Sequence, residues 1–426
     1  MGDQLADGFP ARRRREVTAP SSDAPGQDAA RRLLSRRQLL LLALAAAVVT
    51  ANAYYIHPII ALVARDFGVS PSEIGLVPAL NQIALAAGIF LLLPLGDRFS
   101  NRQLATIFAA GQLAGLALMA FATDFRLFVA GSTFLGFSTI TPYLLPAYAS
   151  KRVEPARLGQ ATATLTTGVI AGILVARVGA GWIGEHLGWR TVYYFAAAVM
   201  LGITLLLPRI MDGREKSAAD APATSYLALV FSVFPIVRRH PEVLLSGTIQ
   251  GLGFGIFLSV WLALGLHLTS PEMGYGTDTV GYLAAMSLLN LVTTPFLGAW
   301  ADRTGPRRAR FLISLVQFGA VSLLGLFGHN LWLLLMPLLV MNLVGPMIDI
   351  TGRMTFLSQP PGVRTRLMTA YIVLMFLGGG LASWAATWVY EHAGWHGTAM
   401  LSLGLSATLV FLAFLGLRLD KPRPGA

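Results

Sequence analysis

The chain has 426 residues, 55% of them hydrophobic and 12% charged, with a mean hydropathy of +0.63 and no cysteine. A soluble chain of average composition carries about twice that charge, so a row of soluble domains is excluded. Without cysteine, so are disulfides, thiolate metal sites and cysteine nucleophiles. The net charge of +11 would suit a nucleic-acid partner only if the bases were gathered in one polar domain, and they are not.

Residues 1–37, rich in Arg, Asp, Ala and Pro without periodicity, read as a disordered basic cytoplasmic tail. Ser35-Arg36-Arg37-Gln38-Leu39-Leu40, an apolar run and Ala51-Asn52-Ala53 imitate a twin-arginine signal with a cleavage site. The apolar run continues to Val63, and cleavage would invert the charge bias of every later loop. An uncleaved first span is therefore expected. Twelve apolar stretches follow, at about 38–63, 74–96, 103–123, 127–149, 160–184, 191–208, 243–268, 279–300, 310–328, 331–352, 367–389 and 397–417. Each is long enough for a hydrocarbon core of about 30 Å. Ser70-Pro71-Ser72-Glu73 predicts a capping box at the start of the second.

With the N-terminus inside, 28 of the 32 Lys and Arg fall on the cytoplasmic side. Leaving out the tail, the bias is still 20 to 3, and the outer three are Arg65, Arg126 and Arg190. Basic loops are retained in the cytoplasm, so both termini are expected there. The predicted protein is an all-α, multi-pass membrane protein, surrounded by lipid and monomeric, with no nucleic-acid partner. Its parts are a six-helix bundle over 38–208, a cytoplasmic linker over 209–242, a second six-helix bundle over 243–418 and a tail over 419–426.

The two halves repeat. Gly96-Asp97-Arg98-Phe99-Ser100-Asn101-Arg102 corresponds to Ala301-Asp302-Arg303-Thr304-Gly305-Pro306-Arg307, with the aspartates 205 residues apart. Glu185-His186-Leu187-Gly188-Trp189-Arg190 corresponds to Glu391-His392-Ala393-Gly394-Trp395-His396 at an offset of 206, and so does Gly75 to Gly281. A tandem duplication of six spans is a transporter plan with its site between the halves near the midplane. The duplicated Asp-Arg loops resemble the signature of the major facilitator superfamily, and Gly168-x-x-x-Gly172 resembles that superfamily's antiporter motif. With Ala51-Asn52-Ala53-Tyr54-Tyr55-Ile56-His57-Pro58, Gly68-Val69-Ser70-Pro71 and Gly188-Trp189-Arg190, the chain is similar to bacterial drug/proton antiporter-like and sugar-efflux-like exporters over residues 38–418.

The resemblance implies a cytoplasmic gate. Asp97 would contact the start of span 11, near Arg364 and Arg366, and Asp302 the start of span 5, near Arg157, with Arg98, Arg102, Arg303 and Arg307 completing the loops. A helix N-terminus favours a carboxylate, which supplies the physical reason. Two positions depart from the exporters. Ser132 stands where a span-4 arginine precedes Gly136, and Ile173 where proline follows the second glycine of the antiporter motif. Coupling ion and direction of transport stay open on these grounds.

Few ionisable groups lie inside spans. Asp349 in span 10 is either half of an i,i+4 ion pair with Arg353 or a proton carrier. Arg177 in span 5 either snorkels to the interface or faces the cavity and holds an anionic substrate. His57 is either a titrating group or a packing residue. Asn52, Tyr55, Asn81, Thr141 and Asn290 are further candidates for a polar pathway. His392 and His396 are separated by Gly394, which argues against a helical metal site, so no metal is expected. No phosphate-cradling loop is present, and paired carboxylates at one depth are lacking, so neither a cofactor nor an enzymatic activity is expected. The leading reading is proton-coupled efflux of a small organic molecule. The alternative is uptake by the same fold as a symporter or facilitator, and a membrane-embedded enzyme ranks below both.

Overall fold

The computed structural model describes residues 33–212 and 225–418. The tails expected over 1–37 and 419–426 lie outside these residues, apart from the helical start of the first span, and so does the middle of the linker. In chain order the helices are α1 (Arg36–Ala51), α2 (Ile56–Phe67), α3 (Pro71–Ile74), α4 (Leu76–Leu92), α5 (Asn101–Ala120), α6 (Phe125–Phe137), α7 (Thr141–Ser150), α8 (Leu158–Leu187) and α9 (Trp189–Ile210). They continue with α10 (Tyr226–Phe231), α11 (Val233–Arg239), α12 (Glu242–Leu268), α13 (Thr277–Ala284), α14 (Asn290–Thr304), α15 (Pro306–Phe327), α16 (Leu331–Met354) and α17 (Pro361–Arg418). Every apolar stretch read from the sequence is mainly helical. Among the described residues ten helices are long and apolar enough to cross a membrane, or eleven if the bent pair Thr277–Leu289 and Val292–Thr304 is one span.

The last helical stretch consists of two helices that meet at a kink, where Gly394 adopts φ 58°, ψ −156°. A straight helix of 57 residues would be about 85 Å long, far more than a bilayer needs. The break sits at Gly394 because only glycine takes positive φ without steric cost.

The first span breaks where sequence periodicity gave no warning. Between α1 and α2, residues 52–55 form turns, with His57 N–H bonded to Tyr54 O at 3.3 Å. Pro58 has no N–H to give to the Tyr54 carbonyl, and its ring would crowd it. The opened turn puts Asn52, Tyr54, Tyr55 and His57 in the interior, all buried. The linker also departs from a plain polar segment, because α10 and α11 lie within it, with Leu227, Phe231 and Phe234 exposed.

In the first half α1 packs on α8, α4 on α6 and α5 on α9; in the second, α12 and α15 pack on α17, and α15 on α16. The α1–α8 crossing explains the Gly168-x-x-x-Gly172 spacing. A Cβ at either glycine would collide with the carbonyl oxygen of Ala43 or Ala47, so only hydrogen lets these backbones meet. One apolar core runs from Leu42 to Met211 and takes in Leu262 and Leu266 of α12, another runs from Ile249 to Ala413, and a third joins Leu85, Ala86 and Ile89 of α4 to Leu367, Tyr371 and Ile372 of α17. Between the halves, α4 packs on α17, α8 on α13 and α2 on α12.

Candidate functional site

Where α8, the first span and α12 meet, Arg177 is buried with 2% of its surface exposed. Its Nη2 donates to His57 Nδ1 at 2.9 Å. Its guanidinium carbon lies 4.6 Å from the ring centres of both Phe257 and Trp261 and 5.4 Å from that of Tyr54. Snorkelling is excluded by that burial, so Arg177 faces inward. The cage takes Arg177, His57 and Tyr54 from the first half and Phe257 and Trp261 from the second. A cation over ring faces gains electrostatic attraction, but rings do not neutralise it. Among the described residues no carboxylate lies within ion-pair distance of Arg177. Because a guanidinium only donates, His57 must accept at Nδ1 and is therefore neutral, with its proton on Nε2. Both that Nε2 and Arg177 Nε are buried without a hydrogen-bond partner.

The other pathway candidates divide into two groups. Tyr54 also borders a small cavity with Thr50, Gln82, Thr139, Tyr143 and Phe376, again from both halves. Asn52 lies close by, donating to Gln112 Oε1 at 2.8 Å, and Tyr55 joins the first core. Asn81 instead donates to Ser132 O at 2.7 Å, and Thr141 reaches Ala105 O at 3.5 Å. These two bonds tie neighbouring helices together. Ser132, where exporters of this kind carry arginine, is buried in that α4–α6 contact. Asn290 stands at the start of α14 with a buried, unpartnered Oδ1.

Asp349 forms the i,i+4 pair read from the sequence. Arg353 Nε donates to Asp349 Oδ1 at 2.8 Å, and the Tyr371 hydroxyl lies 3.0 Å from the same oxygen. Two arginines counted from the sequence among the cytoplasmic charges turn out to be buried. Arg310 is 1% exposed and donates to Ser246 Oγ at 3.0 Å, and Arg152 lies over the Tyr148 ring at 4.3 Å. Charge alone marked both as topology signals. For Arg310, in α15, the helical phase next to apolar neighbours was the available clue; Arg152 lies in the bend after α7 and offered none.

At the end of the bundle that carries the duplicated Asp-Arg loops, the contact expected of Asp302 is not made among the described residues. Asp97 ends the 3-10 turn Leu93–Asp97, and the contact expected of its side chain lies outside the described residues. Asp302 and Arg303 are exposed, and Asp302 makes no hydrogen bond or ion pair among the described residues. Arg157, at the start of α8, faces Glu154 at 3.8 Å instead. Arg364 reaches only the Leu357 carbonyl, at 3.4 Å, while Arg98, Arg307 and Arg366 each have interactions of their own and Arg102 is half-buried.

The opposite end is closed, and closed twice by the same device. Glu185, at the end of α8, accepts from Thr277 N–H at 2.7 Å and from its hydroxyl at 3.0 Å, capping α13. Glu391, its repeat counterpart in α17, accepts from Ser72 N–H at 2.8 Å at the start of α3, beside the Ser70–Glu73 capping box. The first orphan donors of a helix want such partners. Hydrogen bonds from the Ser72 hydroxyl and N–H hold the Glu391 carboxyl below the usual carboxylate range. Behind each glutamate lies a glycine seam. Gly281 meets Gly181, and Gly75 meets Thr387, which again stand 206 apart. Arg65 adds a bond to the Thr269 carbonyl.

A helical chain built of two such halves around a shared buried site matches a family model described as Major Facilitator Superfamily, over residues 42–281 and 243–426. The chain belongs to the major facilitator superfamily. It is 28% identical over 361 residues to a protein of Escherichia coli K12 named as transporter YgaY, covering 83% of this chain and 89% of that one. It is 29% identical over 371 residues to a protein of Streptomyces coelicolor named as a transporter, covering 85% of each. Its fold is similar to the crystal structure of a mutant form of the nucleoside transporter NupG, with a TM-score of 0.71 at 15% identity, over 89% of this chain and 99% of that one. The chain is a membrane transporter of the major facilitator type and not an enzyme.

Proposed function

We propose that the protein is a secondary active transporter with twelve spans, both termini cytoplasmic, that exports a small organic molecule from a bacterial cell by alternating access, as a monomer and in exchange for protons. The observation that carries this reading is the duplicated glutamate and glycine seam. It closes the half-interface at one end, while the Asp302 and Arg157 ends of α14 and α8 are left without a mutual contact at the other. Two halves sealed by a duplicated contact at one end, with no Asp302–Arg157 contact at the other and a polar site between them, are the parts that a rocking transporter needs. In the twelve-span reading the bent pair counts as one span and α17 as two, split at Gly394. The end that carries the Asp-Arg loops, rich in Lys and Arg, is cytoplasmic.

Asp97 and Asp302 then act in the opposite state, each seated on the start of the partner half's helix when the cytoplasmic end closes. Asp349 is the proposed proton carrier, since His57 is already held neutral by the Arg177 hydrogen bond. In the observed state Asp349 is held in its ion pair with Arg353, so the carrier role requires that pair to open during the cycle. The drug/proton antiporter resemblance supports export.

Substrate flux in proteoliposomes with and without an imposed pH gradient tests both coupling and direction. Export coupling predicts that an inward proton gradient drives the substrate the other way in the parent and not in Asp349→Asn. Parent flux that ignores the gradient rules out proton coupling, and flux in the same direction as the protons makes the protein a symporter.

A further inference from the structure

We propose that the transported molecule is an organic anion, a carboxylate with an apolar or aromatic body, and that Arg177 in its aromatic cage is its anchor. This rests on the transporter reading above. The first reason is the uncompensated charge. A guanidinium held at membrane depth is costly unless it is paired, and Arg177 has for neighbours a neutral imidazole and three rings. The second is donor excess. Arg177 Nε–H and His57 Nε2–H are both buried without an acceptor. Buried polar groups in native structures are otherwise almost always satisfied, so two orphan donors in one cage call for an acceptor from outside the chain. Nothing cationic could use them.

The third reason is position. The cage is built from both halves, at the crossing of α2 and α12, where Gly265 comes so close that its Cβ would lie 2.7 Å from the His57 carbonyl oxygen. An anion bound there touches both halves at once, so its arrival changes the balance between their two arrangements. The fourth is the chemistry of the walls. Phe257, Trp261 and Tyr54 offer flat apolar faces, and the neighbouring cavity adds Phe376 and Tyr143. A carboxylate takes the fork of the guanidinium in two parallel bonds, while a ring or alkyl body lies against these faces. A neutral sugar would leave the charge unmatched and waste the aromatic surface.

The test uses the purified full chain with 3-phenylpropionate, octanoate and the corresponding neutral amides, by calorimetric titration and thermal unfolding. At least one carboxylate should bind ten times more tightly than its amide and raise the unfolding temperature. Arg177→Gln should abolish that preference, and Arg177→Lys, which keeps charge but loses the fork, should fall between. Without ligand, Arg177→Gln should unfold at or above the parent's temperature, because it removes an unpaired buried charge. A merely structural Arg177 would make it unfold well below. Equal binding of acid and amide, binding by none of the acids, or acid preference surviving in Arg177→Gln overturns the proposal. Failure of the transporter reading looks different. In proteoliposomes, equal flux of acid and amide sinks the anion anchor alone, whereas a half-interface that never alternates in thiol labelling sinks transport itself.

Discussion

Gly281→Ala should tip the protein towards the state open at the Glu185 and Glu391 end. In the observed arrangement a Cβ at Gly281 would stand 2.9 Å from the Arg177 carbonyl oxygen and 3.2 Å from that of Val178. Comfortable carbon–oxygen contacts begin at about 3.3 Å, and both obstacles are backbone, so no rotamer change relieves the clash. Overpacking of this kind costs about 1–3 kcal/mol. The cost applies only while α8 and α13 are in contact, so it becomes a shift of roughly 5- to 150-fold in the equilibrium between the two states. The chain has no cysteine, which makes a single-cysteine background free of correction. Ala53→Cys places a thiol on the wall of the central cavity, and a membrane-impermeant maleimide added from the outer side reports its exposure. Labelling should accelerate in Gly281→Ala by a factor within that range. Gly298→Ala, where a Cβ meets nothing, should label like the parent. Unchanged or slower labelling in a well-folded Gly281→Ala protein would refute the idea that this seam is a gate.

Acid should loosen the seam through Glu391. Its carboxyl titrates below the usual range when the seam is closed, so its contribution is complete above the ordinary carboxylate value and lost as pH falls through the depressed one. Labelling of Ala53→Cys should therefore rise on acidification in the parent, and Glu391→Gln should show the raised rate already at neutral pH; a flat profile in both refutes the contact. Asp97→Asn should strongly slow transport at near-normal protein levels, through loss of a charge–dipole contact of about 1 kcal/mol, and full activity would reduce Asp97 to a topology marker. Gly172→Leu should abolish accumulation of the protein in membrane extracts, since a Cβ alone already collides with the Ala47 carbonyl; near-normal levels would mean that α1 and α8 can part without cost.

Hydropathy and charge, which are local, determined the helical membrane character, and motif spacing pointed to the twofold repeat. The Glu185 and Glu391 motifs were visible as repeats, yet their job was not, because it needs Thr277 and Ser72 as partners, the latter 319 residues from Glu391. Gly75 and Gly281 were legible in the same partial way. Their spacing identified a duplication, and only the crossings with Thr387 and Gly181 say why glycine is there. The family resemblance supplied the Asp97 and Asp302 gate, and the structure leaves the Asp302 contact unmade among the described residues. Arg177 stood between two readings that one-dimensional depth could not separate. Tertiary structure decided between them by bringing His57 from 120 residues away and Trp261 from the other half. It also moved Arg310 from a counted cytoplasmic charge into the interior. A side chain's neighbours across a helix crossing depend on helix phase and on which backbones can approach. Neither is written in the residue's own segment.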